Sequence, residues 1–196
     1  MINILIVGHG FVGQAVDYGF SHPHVTKTIV DPKYGTNLDS TDVSLFDIAF
    51  VCVPTPMGND GAVDSSIIDD VLNELVSSNI TIVVKSTVTP DIATNWPINV
   101  VYNPEFLTEK SANEQFVSPP FHVLGGWCDA TKYVEKVYEQ YSLCDPCPAL
   151  HMTLEEASFV KYTINSFLAM KVLFFNQLYD AIGETNANFA TIIKAV

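Results

Sequence analysis

Ile2-Asn3-Ile4-Leu5-Ile6-Val7-Gly8-His9-Gly10-Phe11-Val12-Gly13 decides the reading of this chain. Its first six residues, apolar but for Asn3, predict a strand buried on both faces, as at the centre of a parallel sheet. Three glycines follow at once in the spacing G-x-G-x-x-G and open a helix expected over residues 11–20. In that context Gly8 permits a tight turn, Gly10 lets a pyrophosphate approach the backbone, and Gly13 lets the helix pack closely on the strand. Free amides at the helix start then hold the negative charge. Gly8, Gly10, Phe11, Val12 and Gly13 are therefore expected to bind a dinucleotide. A βα turn that binds nothing is the alternative, and the flanking strand and helix argue against it.

Outward from the turn, the chain continues as βαβ units. A second strand is expected at 28–30, ending in Asp31, 18 residues after Gly13. A carboxylate there hydrogen-bonds the adenosine ribose and repels a 2′-phosphate, which favours NAD over NADP. Lys33 tempers that preference by bringing a cation near, and Asp31 could equally serve as an ordinary turn residue. Further strands are expected at 48–53, 81–84, 100–102 and 121–124. Helices are expected at 64–77, capped by Asp64, and at 129–141, with a turn or short helix after Pro90. About six strands with helices between them predict a Rossmann-like α/β fold, doubly wound and mostly parallel, over residues 1–150.

Residues 151–196 read differently. Thr153-Leu154-Glu155-Glu156 is a capping box, and no proline interrupts the chain beyond it. A helix of about 30 residues would run about 45 Å. Its apolar residues cover more than one stripe, so it needs partners on several sides. A homodimer through this helix, or a second domain packing on it, is expected, and the sequence reads as the start of an absent domain.

Composition narrows the function. The 196 residues carry 22 acidic and 9 basic side chains, a formal charge of -13, and every basic residue is a lysine. Such a chain lacks the positive patch that a nucleic-acid partner requires. No membrane span or export signal is read, so a cytoplasmic location with reduced thiols is expected. Cys144-Asp145-Pro146-Cys147 has redox spacing without the flanking pattern, and no second pair completes a metal site.

Ligands of open sheets collect beyond the carboxyl ends of the strands. Val53-Pro54-Thr55-Pro56 ends the third strand as a rigid wall for a ribose. Ser86-Thr87 ends the fourth, offering hydroxyls near a nicotinamide or substrate. Asn103-Pro104-Glu105-Phe106-Leu107-Thr108-Glu109 follows the fifth. In a helical turn starting at Pro104, Glu105 and Glu109 share one face. They suit acid–base work beside a cofactor, or simply stabilise a helix dipole; spacing alone leaves both open. On the long helix, Lys161 and Asn165 are four apart and suit either an oxyanion donor pair or an ordinary polar surface.

Taken in order, these stretches resemble the UDP-glucose/GDP-mannose dehydrogenase family, most closely its UDP-glucose-oxidising members. The matching motifs are Gly8 to Gly13, Cys52-Val53-Pro54-Thr55-Pro56, Val84-Lys85-Ser86-Thr87-Val88-Thr89-Pro90, Asn103 to Glu109, Gly125-Gly126, and Glu156 to Asn165 with Phe167-Leu168-Ala169 and Asn176 beyond. The resemblance implies an oxidoreductase that takes a nucleotide sugar, UDP-glucose, through aldehyde and thioester stages to UDP-glucuronate with two NAD and water. It implies that Thr87 and Glu109 lie near the nicotinamide, with Glu109 helping to activate water. Lys161 and Asn165 would hold the oxyanion, and Glu105, Phe106 and Leu107 the substrate. Gly8, Gly10, Phe11, Val12, Gly13, Asp31, Lys33, Val53, Pro54, Thr55, Ser86, Thr87 and Glu109 would surround the cofactor.

Departures accompany the match. Asp91 stands where the family prefers glycine, and Thr108 where it often has arginine. The family's nucleophilic cysteine lies in a glycine-rich loop of a further domain, which these residues do not contain, and none of Cys52, Cys128, Cys144 or Cys147 has that context. The expectation is a cofactor half that binds NAD; the alternatives are an NAD-binding module without complete turnover and a hydroxyacid dehydrogenase, against which the Asn103 to Glu109 stretch argues.

Overall fold

The computed structural model describes residues 1–196, which form two compact units, Met1–Lys161 and Tyr162–Val196. The first unit is built on seven strands: β1 (Ile2–Val7), β2 (Val25–Val30), β3 (Ile48–Val51), β4 (Thr81–Val84), β5 (Val100–Tyr102), β6 (His122–Gly125) and β7 (Ala149–Met152). Its helices are α1 (Phe11–Gly19), α2 (Ser66–Val76), α3 (Pro90–Ala93), α4 (Ala112–Val117) and α5 (Cys128–Tyr141), followed by α6 (Leu154–Gly183) and then α7 (Phe189–Ile193).

The sheet order is β2-β1-β3-β4-β5-β6-β7, parallel except where β6 runs against β5. Strand alternation sorts the core into two faces. Leu5, Val7, Ala49, Val51, Ile82 and Val84 pack towards Ile68, Leu72 and Leu75 of α2. Ile4, Ile6, Ile48, Phe50 and Val83 pack towards Val16 of α1, Phe116 of α4 and Tyr138 of α5. Both faces are covered, which accounts for strands without polar alternation.

Register aligns the carboxyl ends. Val30 pairs with Val7, Val7 with Val51, Val51 with Val84, and Val84 with Tyr102. The next residue of each strand is therefore one of a row across the sheet edge: Asp31, Gly8, Cys52, Lys85 and Asn103. The chain leaves β1 to one side for β2 and returns to the other for β3, so a crevice opens at that edge.

Two expectations are corrected. Seven strands are present rather than six, because Ala149–Met152 adds a short, partly exposed edge strand beside β6. The segment after Pro104 is not helical: residues 103–108 are irregular, and a 3₁₀ turn begins only at Glu109, so Glu105 and Glu109 do not share a helical face. Two short helices stand where none is expected, α4, whose Phe116 joins the core, and α7; elsewhere the differences are of boundary, β2 starting earlier at Val25 and β3 ending at Val51. The capping box forms reciprocally, Thr153 N–H donating to Glu156 Oε2 at 2.8 Å and Glu156 N–H to Thr153 Oγ1 at 3.2 Å.

The second unit contains the greater part of α6 together with α7, and none of its residues is buried. Phe167, Leu168, Val172, Leu173, Phe174 and Tyr179 are among its exposed apolar side chains. No helix of the protein is long and apolar enough to cross a membrane.

Candidate functional site

A cavity of about 690 Å³ lies along the carboxyl edge of the first unit, within the range of small-molecule and cofactor sites. Its middle is the glycine turn. Gly8 sits at φ +87°, and a Cβ on it would meet the Cys52 carbonyl oxygen at 2.7 Å. A Cβ on Gly13 would lie 2.0 Å from the Gly8 carbonyl oxygen, so this glycine lets α1 rest directly on the turn. Gly10 differs: nothing lies within 4 Å of the position its Cβ would take, and it lines the cavity with Phe11 and Val12. That open backbone at the start of α1 is what a pyrophosphate requires.

At one end, Asp31 is held by two backbone donors. His9 N–H donates to its Oδ2 at 2.5 Å and Lys33 N–H to its Oδ1 at 2.8 Å. These bonds, His9 first, hold the Asp31 carboxyl below the usual carboxylate range. The carboxylate is thus fixed and charged at the wall of the cavity. Leu38, Ile67 and Val71 supply apolar wall beside it, with Thr36 and Asn37 at the rim, a slot suited to a flat base.

At the other end, the loops after β3 and β4 are tied together. Ser86 Oγ donates to the Val53 carbonyl at 2.6 Å, and Thr55 Oγ1 to the Thr87 carbonyl at 2.8 Å. The Ser86 hydroxyl therefore spends its proton on the fold, while Val53, Pro54, Thr55, Ser86 and Thr87 all line the cavity. Glu105 lines the same end, its Oε2 accepting from Leu107 N–H at 2.6 Å. Its other oxygen faces Lys161 Nζ at 2.9 Å, and both side chains are nearly buried.

Several residues singled out in the sequence stand outside this wall. Lys33 is exposed, its ammonium 5.5 Å from the Tyr34 ring centroid. Glu109 is exposed at the start of its 3₁₀ turn. Phe106 stacks edge-on with Phe121 and lies under Lys161 Nζ, 5.3 Å from the ring centroid. Asn165 belongs to the second unit and is exposed. Sequence reasoning gave no role to Cys52 and Lys85, which do line the cavity. Their signal was positional, each being the first residue beyond a strand of the aligned row.

The four cysteines are free. Burial pushes the Cys52 thiol up to about 12, and burial also raises Cys144 and Cys147. A thiolate nucleophile needs the opposite shift.

Comparison with known proteins agrees with this geometry. Residues 33–142, more than half of the chain, match the pattern described as "UDP-glucose/GDP-mannose dehydrogenase family, NAD binding domain". The UDP-glucose 6-dehydrogenase of Rickettsia prowazekii is 30% identical over 174 residues, covering 82% of this chain and 40% of the relative. The GDP-mannose 6-dehydrogenase of Pseudomonas aeruginosa is 31% identical over 154 residues, covering 67% and 34%. The chain thus spans two fifths or less of the length of these curated relatives. Among solved structures, a ternary complex of GDP-mannose dehydrogenase from Pseudomonas aeruginosa superposes with a TM-score of 0.82 at 25% identity, over 98% of this chain and 56% of that one. A UDP-glucose dehydrogenase from Pyrobaculum islandicum gives 0.74 at 28%, over 91% and 52%.

Proposed function

The chain belongs to the UDP-glucose/GDP-mannose dehydrogenase family, whose NAD-binding domain it carries, and from that premise we propose that it is an NAD-binding module that does not complete a sugar oxidation by itself. The observation that carries this reading is the state of the one cysteine in the cavity wall: Cys52 is held as a thiol, its pKa pushed up to about 12. Oxidation of an alcohol to a carboxylate through a thioester needs a thiolate, and a glutamate cannot replace it without changing the reaction.

In this reading the fixed Asp31 carboxylate takes the adenosine ribose, the amides from Gly10 onward take the pyrophosphate, and Thr55 and Thr87 flank the nicotinamide end. When bound, NAD supplies the hydride acceptor. A nucleotide sugar is the proposed substrate, oxidised as UDP-glucose to UDP-glucuronate once a second domain or partner chain contributes the thiolate. Thr87, Glu109, Lys161 and Asn165 are then proposed to act on the reacting oxygen and water, with Glu105, Phe106 and Leu107 on the sugar side. For Lys161 this requires its ammonium to share donors between Glu105 and the substrate oxygen. The exposed apolar side chains of the second unit are proposed to be covered by that domain or by a second copy of the chain.

The test is a titration with NAD followed by absorbance at high protein concentration with UDP-glucose or GDP-mannose. Saturable NAD binding with no NADH produced is expected. Two NADH per sugar from the chain alone would overturn the reading.

A further inference from the structure

Lys85 is 4% exposed, and its Nζ donates to the Asn103 carbonyl at 3.1 Å and to Asn103 Oδ1 at 2.9 Å. The same Oδ1 accepts from Tyr138 Oη at 2.7 Å, and the Phe116 ring centroid lies 5.6 Å from the ammonium. No carboxylate lies within ion-pair distance of it; the protein's four ion pairs involve His9, Lys27, His151 and Lys161 instead. A buried ammonium held by amide oxygens alone is costly. Lys85 nevertheless sits in the wall of the cavity, at the end remote from Asp31. Its charged neighbours there, Glu105 and Lys161, are paired with each other, so Lys85 leaves that end with one uncompensated positive charge.

We propose that Lys85 biases the cavity towards the reduced cofactor, binding NADH in preference to NAD⁺ through its field rather than by contact. The inference rests on the NAD reading above, with the adenosine at Asp31 and the nicotinamide at the Lys85 end. The nicotinamide ring carries a positive charge until it accepts a hydride, one hydrogen nucleus with two electrons, and is then neutral. A fixed cation beside it repels the oxidised ring and leaves the reduced one unaffected. By linkage the same difference makes bound NAD⁺ a stronger hydride acceptor. At partly solvated distances the effect is about tenfold in relative affinity.

The charge is also titratable: burial lowers Lys85 to about 8. The other groups facing it are the Glu105–Lys161 pair, the Cys52 and Cys144 thiols, Tyr138 and His122. Burial raises both thiols and the phenol and lowers His122 to about 4, so each of the four is displaced away from the range in which Lys85 loses its proton.

The experiment measures dissociation constants of the full chain for NADH by fluorescence and for NAD⁺ by displacement, from about pH 6.5 to about pH 9.5, bracketing the lysine. The expected result is an NADH preference of about tenfold at the lower pH that declines through about pH 8. Lys85→Met should show the high-pH ratio throughout, and Lys85→Arg should keep the preference at every pH because a guanidinium stays charged. A ratio that ignores pH in the unaltered chain overturns the inference while leaving the NAD reading standing, and needs no variant to fold. Binding of neither form overturns both.

Discussion

Lys161 rests its ammonium on the Glu105 carboxylate, Nζ to Oε1 2.9 Å, joining the start of α6 to the loop after β5 across 56 residues of sequence. Nζ also donates to the Glu105 carbonyl. With side chains 4% and 11% exposed, the pair is shielded from water, so its two halves depend on each other. Lys161→Met leaves a buried carboxylate alone and should lower unfolding free energy by about 3–5 kcal/mol. Combining it with Glu105→Leu should restore most of that loss. Urea denaturation of Lys161→Met, Glu105→Leu and the double variant measures the coupling directly.

Gly10 and Gly13 should separate binding from folding. Gly10 has an ordinary extended backbone and open space around its missing Cβ. Gly10→Ala is expected to change stability by less than about 1 kcal/mol while weakening NAD at least about tenfold, because the methyl occupies the phosphate's approach. Gly13→Ala drives a methyl into the Gly8 carbonyl and should cost about 3 kcal/mol or more. Melting curves paired with NAD titrations tell the two outcomes apart.

Asp31 should discriminate between cofactors by its charge. Asp31→Asn keeps acceptor and shape on one oxygen but loses the negative charge that faces a 2′-phosphate. NAD affinity should fall by about tenfold and the NAD-to-NADP preference should narrow, since a charge-assisted bond to the ribose contributes about 1.5–3 kcal/mol. Isothermal titration with both cofactors reads this; an unchanged preference would remove Asp31 from the ribose site.

Acid should loosen the fold through His122, whose ring stacks 4.2 Å from that of Tyr138. Burial pushes its pKa down to about 4 from the ordinary 6.5. The unfolded chain therefore takes up the proton first as pH falls, and stability present above about 6.5 is lost progressively towards about 4. The loss is about 3 kcal/mol. His122→Phe should flatten that part of the pH profile in denaturant titrations.

The features legible in the sequence were local ones. The strand, glycine turn and helix from Ile2 onward are adjacent in the chain, and their pattern states both the fold and the place of the cavity. β7 escaped because Ala149-Leu150-His151-Met152 is too short for a period and carries a polar residue on a half-exposed edge. The expected turn from Pro104 failed for a different reason. Glu105 is drawn to Lys161 and to Leu107 N–H, and a partner 56 residues away leaves no trace in local spacing. Lys85 was visible as part of a motif, but its lack of a carboxylate at ion-pair distance emerges only when β4, β5 and α5 are packed together.

The reversal at β6 divides the sheet in a way the strand order alone conceals. β5 and β6 share a single register pair, Tyr102 with Gly125, whereas β1 and β2 share six. The Asn103 side chain spans this joint, Nδ2 donating to the Val123 carbonyl at 2.8 Å. Amide hydrogens of β6 and β7 should consequently exchange with solvent together, and ahead of those in β1, β3 and β4, as the edge pair lifts away in one cooperative opening. Asn103→Ala should hasten that exchange, and because Asn103 Oδ1 also accepts from Lys85 Nζ and Tyr138 Oη, the carboxyl end of β4 should loosen with it while β1 and β2 keep their protection.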